Sequence, residues 1–139
     1  MPTDLWLNLP VSDLARSVAF YEALGLERNP GPGNSASSAS FLVGAQRVVL
    51  MLFAQPVFAG FAGAPVADAK QAAEVLISIG ASSPAEVDDL AKRAVSGGGS
   101  VYAPPGPPGG AMYGCGLSDR WPPLERAVHG TALRRAPLS

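Results

Sequence analysis

The sequence predicts an α+β domain in which two βαβββ modules form one curved mixed sheet. The main observation is an internal repeat: a strand, a capped helix, a glycine stop and further strands follow each other twice along the chain. The length of 139 residues fits one domain, and a hydrophobic fraction of 47% can supply its core. We expect a single domain over residues 1–139, with module one at about 1–62, module two at about 63–119 and an aberrant tail at 120–139.

The composition argues against several classes of protein. A net charge of −1 does not favour binding of nucleic acid, which needs clustered lysine and arginine. No apolar run reaches the roughly eighteen residues that span a bilayer, and the first ten residues lack the basic-then-apolar pattern of a signal peptide. The single cysteine, Cys115, cannot form an internal disulfide. We therefore expect a cytoplasmic protein in which Cys115 is an inert thiol.

Module one begins with an alternating strand and a capped helix. The segment LWLNLPV (Leu5–Val11) alternates and contains Trp and Val, which predicts a strand. Asp13 is a cap residue, apolar residues follow at helical spacing and Gly25 is a stop, so a helix is predicted over about Asp13–Leu24. The further predicted strands of this module are Leu26–Asn29, Ser40–Val43 and Arg47–Phe53.

Module two repeats this order after the segment PVFAGFAGAPVADAK, which we interpret as a linker. Ala73–Gly80 is a predicted strand. Ser83 and Glu86 have the spacing of a capping box, with Pro84 at the first helical position, and three glycines at 97–99 end the helix. The further predicted strands are Ser100–Ala103 and Met112–Ser118, separated by the loop PPGPPGG.

Four segments of the chain together indicate a family: NLPVSDLARSVAFYEALGL, VVLMLF, EVLISIGASSPAEVDDLAKRAVSGGGSVY and MYGCGLSD. They resemble the glyoxalase/bleomycin-resistance/dioxygenase superfamily, and within it the lactoylglutathione-lyase-like branch. The likeness covers about Leu5–Asp119, and VSDLxRSxxFYxxLG and MYGxxxxD are its most specific parts. The resemblance implies the vicinal oxygen chelate fold and a homodimer that builds its cavities across paired chains.

The tail departs from the pattern of that family after Asp119. Family members continue into DPDGHxWE and an apolar closing strand, whereas this chain continues RWPPLERAVHG. Residues 119–130 can be back-translated into a base string in which the third bases are free to choose. Read from its fifth base, this string encodes DGHRWNVLYME. Two cytosines restored after the codon of Asp119 add the missing proline, so that the chain would continue from Leu117 as LSDPDGHRWNVLYME. We interpret the tail as a reading-frame change, with natural divergence as the alternative.

The altered tail also changes what the last strand can do. Pro122 and Pro123 cannot donate ladder hydrogen bonds, and Leu124–His129 could instead form a short helix. We therefore predict that the closing strand of module two is missing, because residues 120–139 do not pair in its place. The neighbouring strand edge would then be open or covered by a partner chain.

The resemblance also implies where a metal would be held, since enzymes of this fold bind a divalent ion with His and Glu side chains from four strands. It places Trp6 where the first His often stands, Met51 where a Glu often stands and Glu74 where the second His often stands. Indole and thioether groups do not replace hard oxygen donors. We therefore expect no metal and no cofactor, with His129 in contact with solvent; a divalent metal is the alternative.

Apolar side chains on alternating positions are candidates for the lining of a ligand pocket on one sheet face. They are Trp6, Phe41, Met51, Phe53 and Tyr113. An ordinary core position is the alternative for each of them. Glu74 is the candidate catalytic acid or base, because burial in an apolar concavity would raise the pKa of its carboxyl group. A carboxylate near solvent at the end of a strand is the alternative.

The expected function is binding of a small apolar or aromatic molecule without a metal, as in bleomycin-resistance-like proteins. A metal-dependent enzyme similar to lactoylglutathione lyase and an inactive relative are the alternatives, so the sequence leaves enzymatic activity open. The sequence does not identify the ligand.

Overall fold

Two βαβββ modules make up the computed structural model, which describes residues 4–67, 76–109, 112–119 and 127–133. Module one contains β1 (Trp6–Val11), α1 (Leu14–Ala23), β2 (Glu27–Arg28), β3 (Ser38–Val43) and β4 (Val48–Ala54), and is followed by α2 (Gln55–Ala62). Module two contains β5 (Leu76–Ala81), α3 (Pro84–Ser96), β6 (Ser100–Gly109), β7 (Met112–Ser118) and β8 (Ala127–Leu133). The α+β class and the internal repeat are confirmed. No helix in the described ranges is long and apolar enough to cross a membrane.

Each module forms a four-stranded mixed sheet, and the two sheets have the same strand order. The order is β1-β4-β3-β2 in the first sheet and β5-β8-β7-β6 in the second. In both sheets the strands that come first and last along the chain, β1 with β4 and β5 with β8, pair in parallel. The other neighbouring strands are antiparallel. The chain separates into two compact units, Met1–Ala67 and Asp68–Ser139, each containing one sheet.

Helix α1 begins and ends where its sequence signals predict. The Asp13 side chain accepts a hydrogen bond from the backbone N–H of Arg16 at 3.2 Å, which satisfies one of the free donors in the first turn. Leu24 is the C-terminal cap, and Gly25 follows with a φ of 89°, a conformation that glycine adopts without steric cost. The predicted helix is therefore confirmed to within one residue at each end.

The core of module one lies between α1 and one face of the first sheet. Phe20, Tyr21 and Phe41 are at most 1% exposed. The rings of Phe20 and Tyr21 meet edge to face with centroids 5.2 Å apart, and the ring of Tyr21 lies 5.9 Å from that of Phe41. Such aromatic contacts add to the free energy gained by apolar burial.

Helix α3 covers one face of the second sheet with a stripe of apolar side chains at helical spacing. The buried residues of this stripe are Val87, Leu90, Ala91 and Ala94. At its start the Ser83 hydroxyl accepts from the Glu86 N–H at 3.2 Å, as predicted. The other half of the predicted capping box differs, because the Glu86 carboxylate accepts from the N–H of Ser82 at 3.0 Å and from the Ser82 hydroxyl. The Ser83 hydroxyl thus satisfies one free N–H group of the first turn, and Glu86 binds the residue before the cap.

Two segments that the sequence analysis assigned to a linker and a loop form regular structure. Helix α2 occupies the first part of the expected linker; Pro56 lies in its first turn and Gly63, with a φ of 66°, ends it. Strand β6 continues through most of the expected PPGPPGG loop to Gly109. Its pairing with β7 shifts register three times, and β6 is an edge strand, where proline costs no ladder hydrogen bond on the outer side.

The prediction that residues 120–139 do not pair as a closing strand is wrong for Ala127–Leu133. Strand β8 lies between β5 and β7, in the position that β4 has in the first sheet. Pro122 and Pro123 precede the paired segment, which contains no proline and therefore keeps every N–H that the ladder needs. The β7 edge is thus covered by this chain itself. Residues 120–126 and 134–139 lie outside the described residues, and the reading-frame interpretation stays a prediction that the coding DNA would test.

The pairing of β8 leads to an expectation for hydrogen exchange. The backbone amides of Val128–Ala132 should be protected to about the same degree as those of β7, because both are inner strands. Ala45 and Gln46, in the exposed turn between β3 and β4, provide fast-exchanging controls. NMR-detected exchange would contradict the assignment if the β8 amides exchanged as fast as these two. Replacing Thr131 with Pro should remove a ladder donor and destabilise module two by about 1–3 kcal/mol, whereas Thr131→Val keeps the N–H group and should have little effect.

The Ser82–Glu86 contact leads to an expectation for pH dependence. Hydrogen bonds from the Ser82 hydroxyl and N–H lower the pKa of the Glu86 carboxyl group from its ordinary value of 4.5. Because the folded-state pKa is lowered, the ionised Glu86 carboxylate stabilises the folded protein at pH values above the unfolded-state pKa. This stabilisation is lost as the pH falls through the folded-state pKa. The stability difference between wild type and Glu86→Gln, measured by urea unfolding, should therefore shrink as the pH falls from neutral to below the ordinary pKa of 4.5. Ser82→Ala should weaken the same dependence, and a difference that does not change with pH would contradict this role.

Candidate functional site

Strand alternation gives the first sheet two different faces. The α1 face carries side chains that pack beneath α1, among them Leu9, which pairs with Leu52, and Phe41, which pairs with Leu50. The residues between these point to the opposite side, which we call the α2 face. On β1 and β4 the α2 face consists of Trp6, Asn8, Pro10, Val49, Met51 and Phe53.

Helix α2 packs on the α2 face because the chain turns back at the end of β4. It contacts β1 and β4, and the rings of Phe53 and Phe61 lie 5.2 Å apart at an angle of 65°. Phe58 and Phe61 are three residues apart, so they share one side of the helix. Gly63 ends the helix, with its N–H donating to the carbonyl of Ala59 at 3.0 Å. This short helix therefore presents two phenylalanines to the sheet.

A cleft of about 490 Å³ lies between the α2 face and helix α2. Its lining residues are Asn8, Phe53, Phe58, Phe61 and Ala62. The volume falls within the range of small-molecule sites. Phe61 is 73% exposed and no residue of α2 is buried, so a bound molecule would cover apolar surface that the chain itself leaves in water. The cleft is the candidate functional site.

The described residues that line the cleft carry no charge. Among them Asn8 is the one with a polar side chain, and its amide makes no side-chain hydrogen bond within the described part of the chain. An amide that is not used internally can offer one acceptor and two donors to a bound molecule. The cleft thus combines three aromatic rings with one neutral hydrogen-bonding group.

Met51 lies on the α2 face but does not line the cleft. The loop before β3 covers it: a Cβ built on Gly33 would lie 3.4 Å from the Met51 sulfur, and Met51 is 5% exposed. The Asn34 side chain holds this loop, donating to the carbonyl of Asn29 at 2.7 Å and accepting from the N–H of Ser40 at 3.0 Å. Met51 therefore packs beneath the loop.

Trp6 shares the α2 face with Phe53 but lines a different cavity. It is 60% exposed and borders a cavity of about 400 Å³ at the other end of β1, together with Asp4 and Arg47. Arg47 has a φ of 54° and its guanidinium lies 3.3 Å from the Glu27 carboxylate. The structure therefore separates Trp6, Met51 and Phe53 along one face, and only Phe53 reaches the cleft.

The expected position of all five aromatic and apolar candidates on one face does not hold for Phe41 and Tyr113. Phe41 has the opposite phase on β3 and packs against Tyr21 of α1. The Tyr113 hydroxyl donates to the Asp88 carboxylate of α3 at 2.7 Å, so Tyr113 lies on the helix-covered face of the second sheet. This hydrogen bond raises the pKa of the Tyr113 hydroxyl. Both side chains belong to the packing of a helix on its sheet.

The same face of β7 contains the only cysteine. Cys115 is 1% exposed, and its thiol lies 3.9 Å from the carbonyl oxygen of Val87 on α3. On the other face of β7, the ring of Tyr102 lies so close to Gly116 that any Cβ there would overlap it. Burial raises the pKa of the Tyr102 hydroxyl. Cys115 is thus a packed side chain beneath α3.

The described residues do not fit the divalent metal that the resemblance implies. The positions on β1 and β4 carry the indole of Trp6 and the covered thioether of Met51, which are poor ligands for a hard cation. Residues 4–67, 76–109, 112–119 and 127–133 contain no group of three or more His, Cys, Asp or Glu side chains that could hold a metal. Glu74, the candidate acid or base, lies outside the described residues. In the second sheet, the backbone of His129 on β8 pairs with that of Ser78 on β5. This position corresponds to that of Met51 in the first sheet, where Met51 on β4 pairs with Asn8 on β1.

Sequence reasoning missed the residues that α2 contributes to the cleft. Phe58 and Phe61 stand in the segment interpreted as a linker, although Pro56 followed by phenylalanines three apart and Gly63 is a helix signal. Asn8 was also missed, since a single polar residue in an alternating strand has no distinctive sequence signal.

The fold and the N-terminal segment were compared with known proteins. The family model described as bleomycin resistance protein-like N-terminal matches residues 3–36. A search of curated proteins gives no match.

Several solved structures superpose on nearly the whole chain. The hypothetical protein SA1046 from S. aureus is 26% identical with a TM-score of 0.79, covering 95% of both chains. A glyoxalase/bleomycin resistance protein/dioxygenase from Nocardioides is 24% identical with a TM-score of 0.71, covering 100% of this chain and 89% of that one. A lactoylglutathione lyase from Agrobacterium tumefaciens is 21% identical with a TM-score of 0.65, covering 95% and 94%. The chain therefore has the glyoxalase/bleomycin-resistance/dioxygenase fold, and the match over residues 3–36 supports the superfamily that its sequence resembles.

Proposed function

We propose that this protein is a glyoxalase/bleomycin-resistance-like protein that binds a small apolar or aromatic molecule without a metal. The observation that carries the proposal is the cleft between the α2 face and helix α2, which has three phenylalanines and no ionisable side chain among its described lining residues. Phe53 is the sequence-predicted binding residue that stands in it. Trp6 and Met51, the other predicted binding residues on this face, lie outside the cleft, so the proposal gives neither of them a role in it.

Apolar burial would provide most of the binding free energy. Each 100 Å² of apolar surface removed from water contributes about 2.5 kcal/mol, from which the costs of association are subtracted. Phe61 offers such surface because most of its side chain is exposed. The contact between Phe53 and Phe61 fixes one wall before any ligand arrives, which lowers the cost of ordering the site.

The alternatives from the sequence are weaker on the described residues. A metal-dependent enzyme similar to lactoylglutathione lyase would need hard donors where Trp6 and Met51 stand. A general acid or base role for Glu74 stays a prediction, as do the homodimer and the cytoplasmic location that we expect. An inactive relative would bind no ligand in the cleft, so the experiment that follows separates it from the proposed function.

A thermal-shift screen with neutral aromatic compounds tests the proposed function. A compound present at about 100 times its Kd should raise the melting temperature by roughly 5–10 °C, because it binds only the folded state. Phe53→Ala removes one wall of the cleft and should abolish most of this ligand-induced shift. Trp6→Ala is the matched control, since it removes an aromatic side chain from the same face but from another cavity. A shift that is lost with Trp6→Ala and kept with Phe53→Ala would contradict the proposed site.

A further inference from the structure

We propose that the cleft selects an uncharged aromatic molecule that carries an amide-like group, and that Asn8 pairs with this group. The inference rests on the proposed function and narrows it to a class of ligand. Its basis is the position of one neutral hydrogen-bonding side chain among three phenylalanine rings.

Asn8 stands where packing does not require a polar residue. Its neighbours on the α2 face of β1 are Trp6 and Pro10, and the residue opposite it on β4 is Met51. Asparagine is disfavoured in strands, so an apolar residue would suit this position better on grounds of stability. Its exposed amide group borders the cleft and has no hydrogen-bond partner among the described side chains.

An amide pairs best with a group that both donates and accepts. The Asn8 side chain has a carbonyl oxygen that accepts two hydrogen bonds and an NH₂ group that donates two. A carboxamide, lactam or similar group satisfies a donor and an acceptor of Asn8 at once. A hydrocarbon satisfies neither, and it would leave the Asn8 amide covered and unpaired, which costs free energy.

The neutral side chains that line the cleft in the described ranges disfavour ionised ligands. None of these lining residues is ionisable, and the cation of Arg28 is paired with Glu22 beside the ring of Phe41 on the α1 face. A carboxylate that enters the cleft would lose hydration without meeting a countercharge. An ammonium group would gain only the faces of phenylalanine rings, which attract cations less strongly than tryptophan does.

The phenylalanine rings that line the cleft favour a ligand with an aromatic ring. Phe53 and Phe61 adopt an edge-to-face arrangement, and Phe58 lines the same cleft. A flat ligand ring can continue this pattern at the usual centroid distances of about 4.5–7 Å. The volume of about 490 Å³ accommodates a molecule with two fused rings.

Three probes with the same naphthalene ring system test the inference by isothermal titration calorimetry with the full chain. They are naphthalene-2-carboxamide, naphthalene-2-carboxylate and 2-ethylnaphthalene. We expect the carboxamide to bind about tenfold or more tightly than either of the others, which corresponds to the gain from one or two neutral hydrogen bonds. Equal affinities of the carboxamide and the hydrocarbon, or a preference for the carboxylate, would overturn the inference while leaving the proposed function intact. If none of the three binds, the inference fails, and the thermal-shift screen decides separately whether the proposed function holds.

The Asn8→Leu variant, of similar size, connects the preference to the residue. It should lose the advantage of the carboxamide over 2-ethylnaphthalene while still binding the hydrocarbon. Asn8→Ser, which keeps a polar but shorter side chain, should lose most of the same advantage and serves if Asn8→Leu does not fold. Asn8→Gln keeps an amide group on a longer side chain, so it should retain part of the selectivity that Asn8→Leu loses. A preference unchanged in both Asn8→Leu and Asn8→Ser would assign recognition to another group.

Discussion

Strand alternation in the first sheet is the constraint on which the candidate site depends. β1 and β4 pair with Leu9 opposite Leu52 and Asn8 opposite Met51, so every second residue belongs to the core beneath α1. A shift of one residue would exchange the buried Leu52 with Phe53 and lose apolar burial on the α1 face. The packing of α1 therefore fixes, on the other side of the sheet, which side chains meet helix α2.

The elements with strong local signals could be predicted from the sequence. α1 has a cap at Asp13 and a glycine with positive φ at Gly25, and β7 alternates between small and large residues. α2 has weaker signals, because no side chain caps it and it contains glycine at position 60, so that only Pro56 and Gly63 mark its ends. The two prolines before β8 do not exclude the closing strand, because only residues inside the paired segment must donate to the ladder.

The candidate site could be predicted only in part. When a strand is covered on both sides, its hydrophobic pattern does not show which residues face which side. Ser38 to Phe41 are all buried: one side of β3 packs against α1 and the other lies under the loop that Asn34 holds. Hydrophobicity alone therefore did not show that Phe41 faces α1. For Tyr113 the phase was readable, since the residues between Tyr113, Cys115 and Leu117 are two glycines, which cannot form a packed face. The two phenylalanines that α2 contributes to the cleft lie in the segment interpreted as a linker.

NMR mapping of ligand contacts tests most directly that the α2 face, and not the α1 face, binds the ligand. The protein would be titrated with any neutral aromatic compound that raises its melting temperature, while the side-chain amide and aromatic resonances are followed. We expect shifts of the Asn8 amide and of the Phe58 and Phe61 rings, with the Tyr21 and Phe41 rings unchanged. Shifts centred on Tyr21 and Phe41, with none at Asn8 or Phe61, would contradict the account.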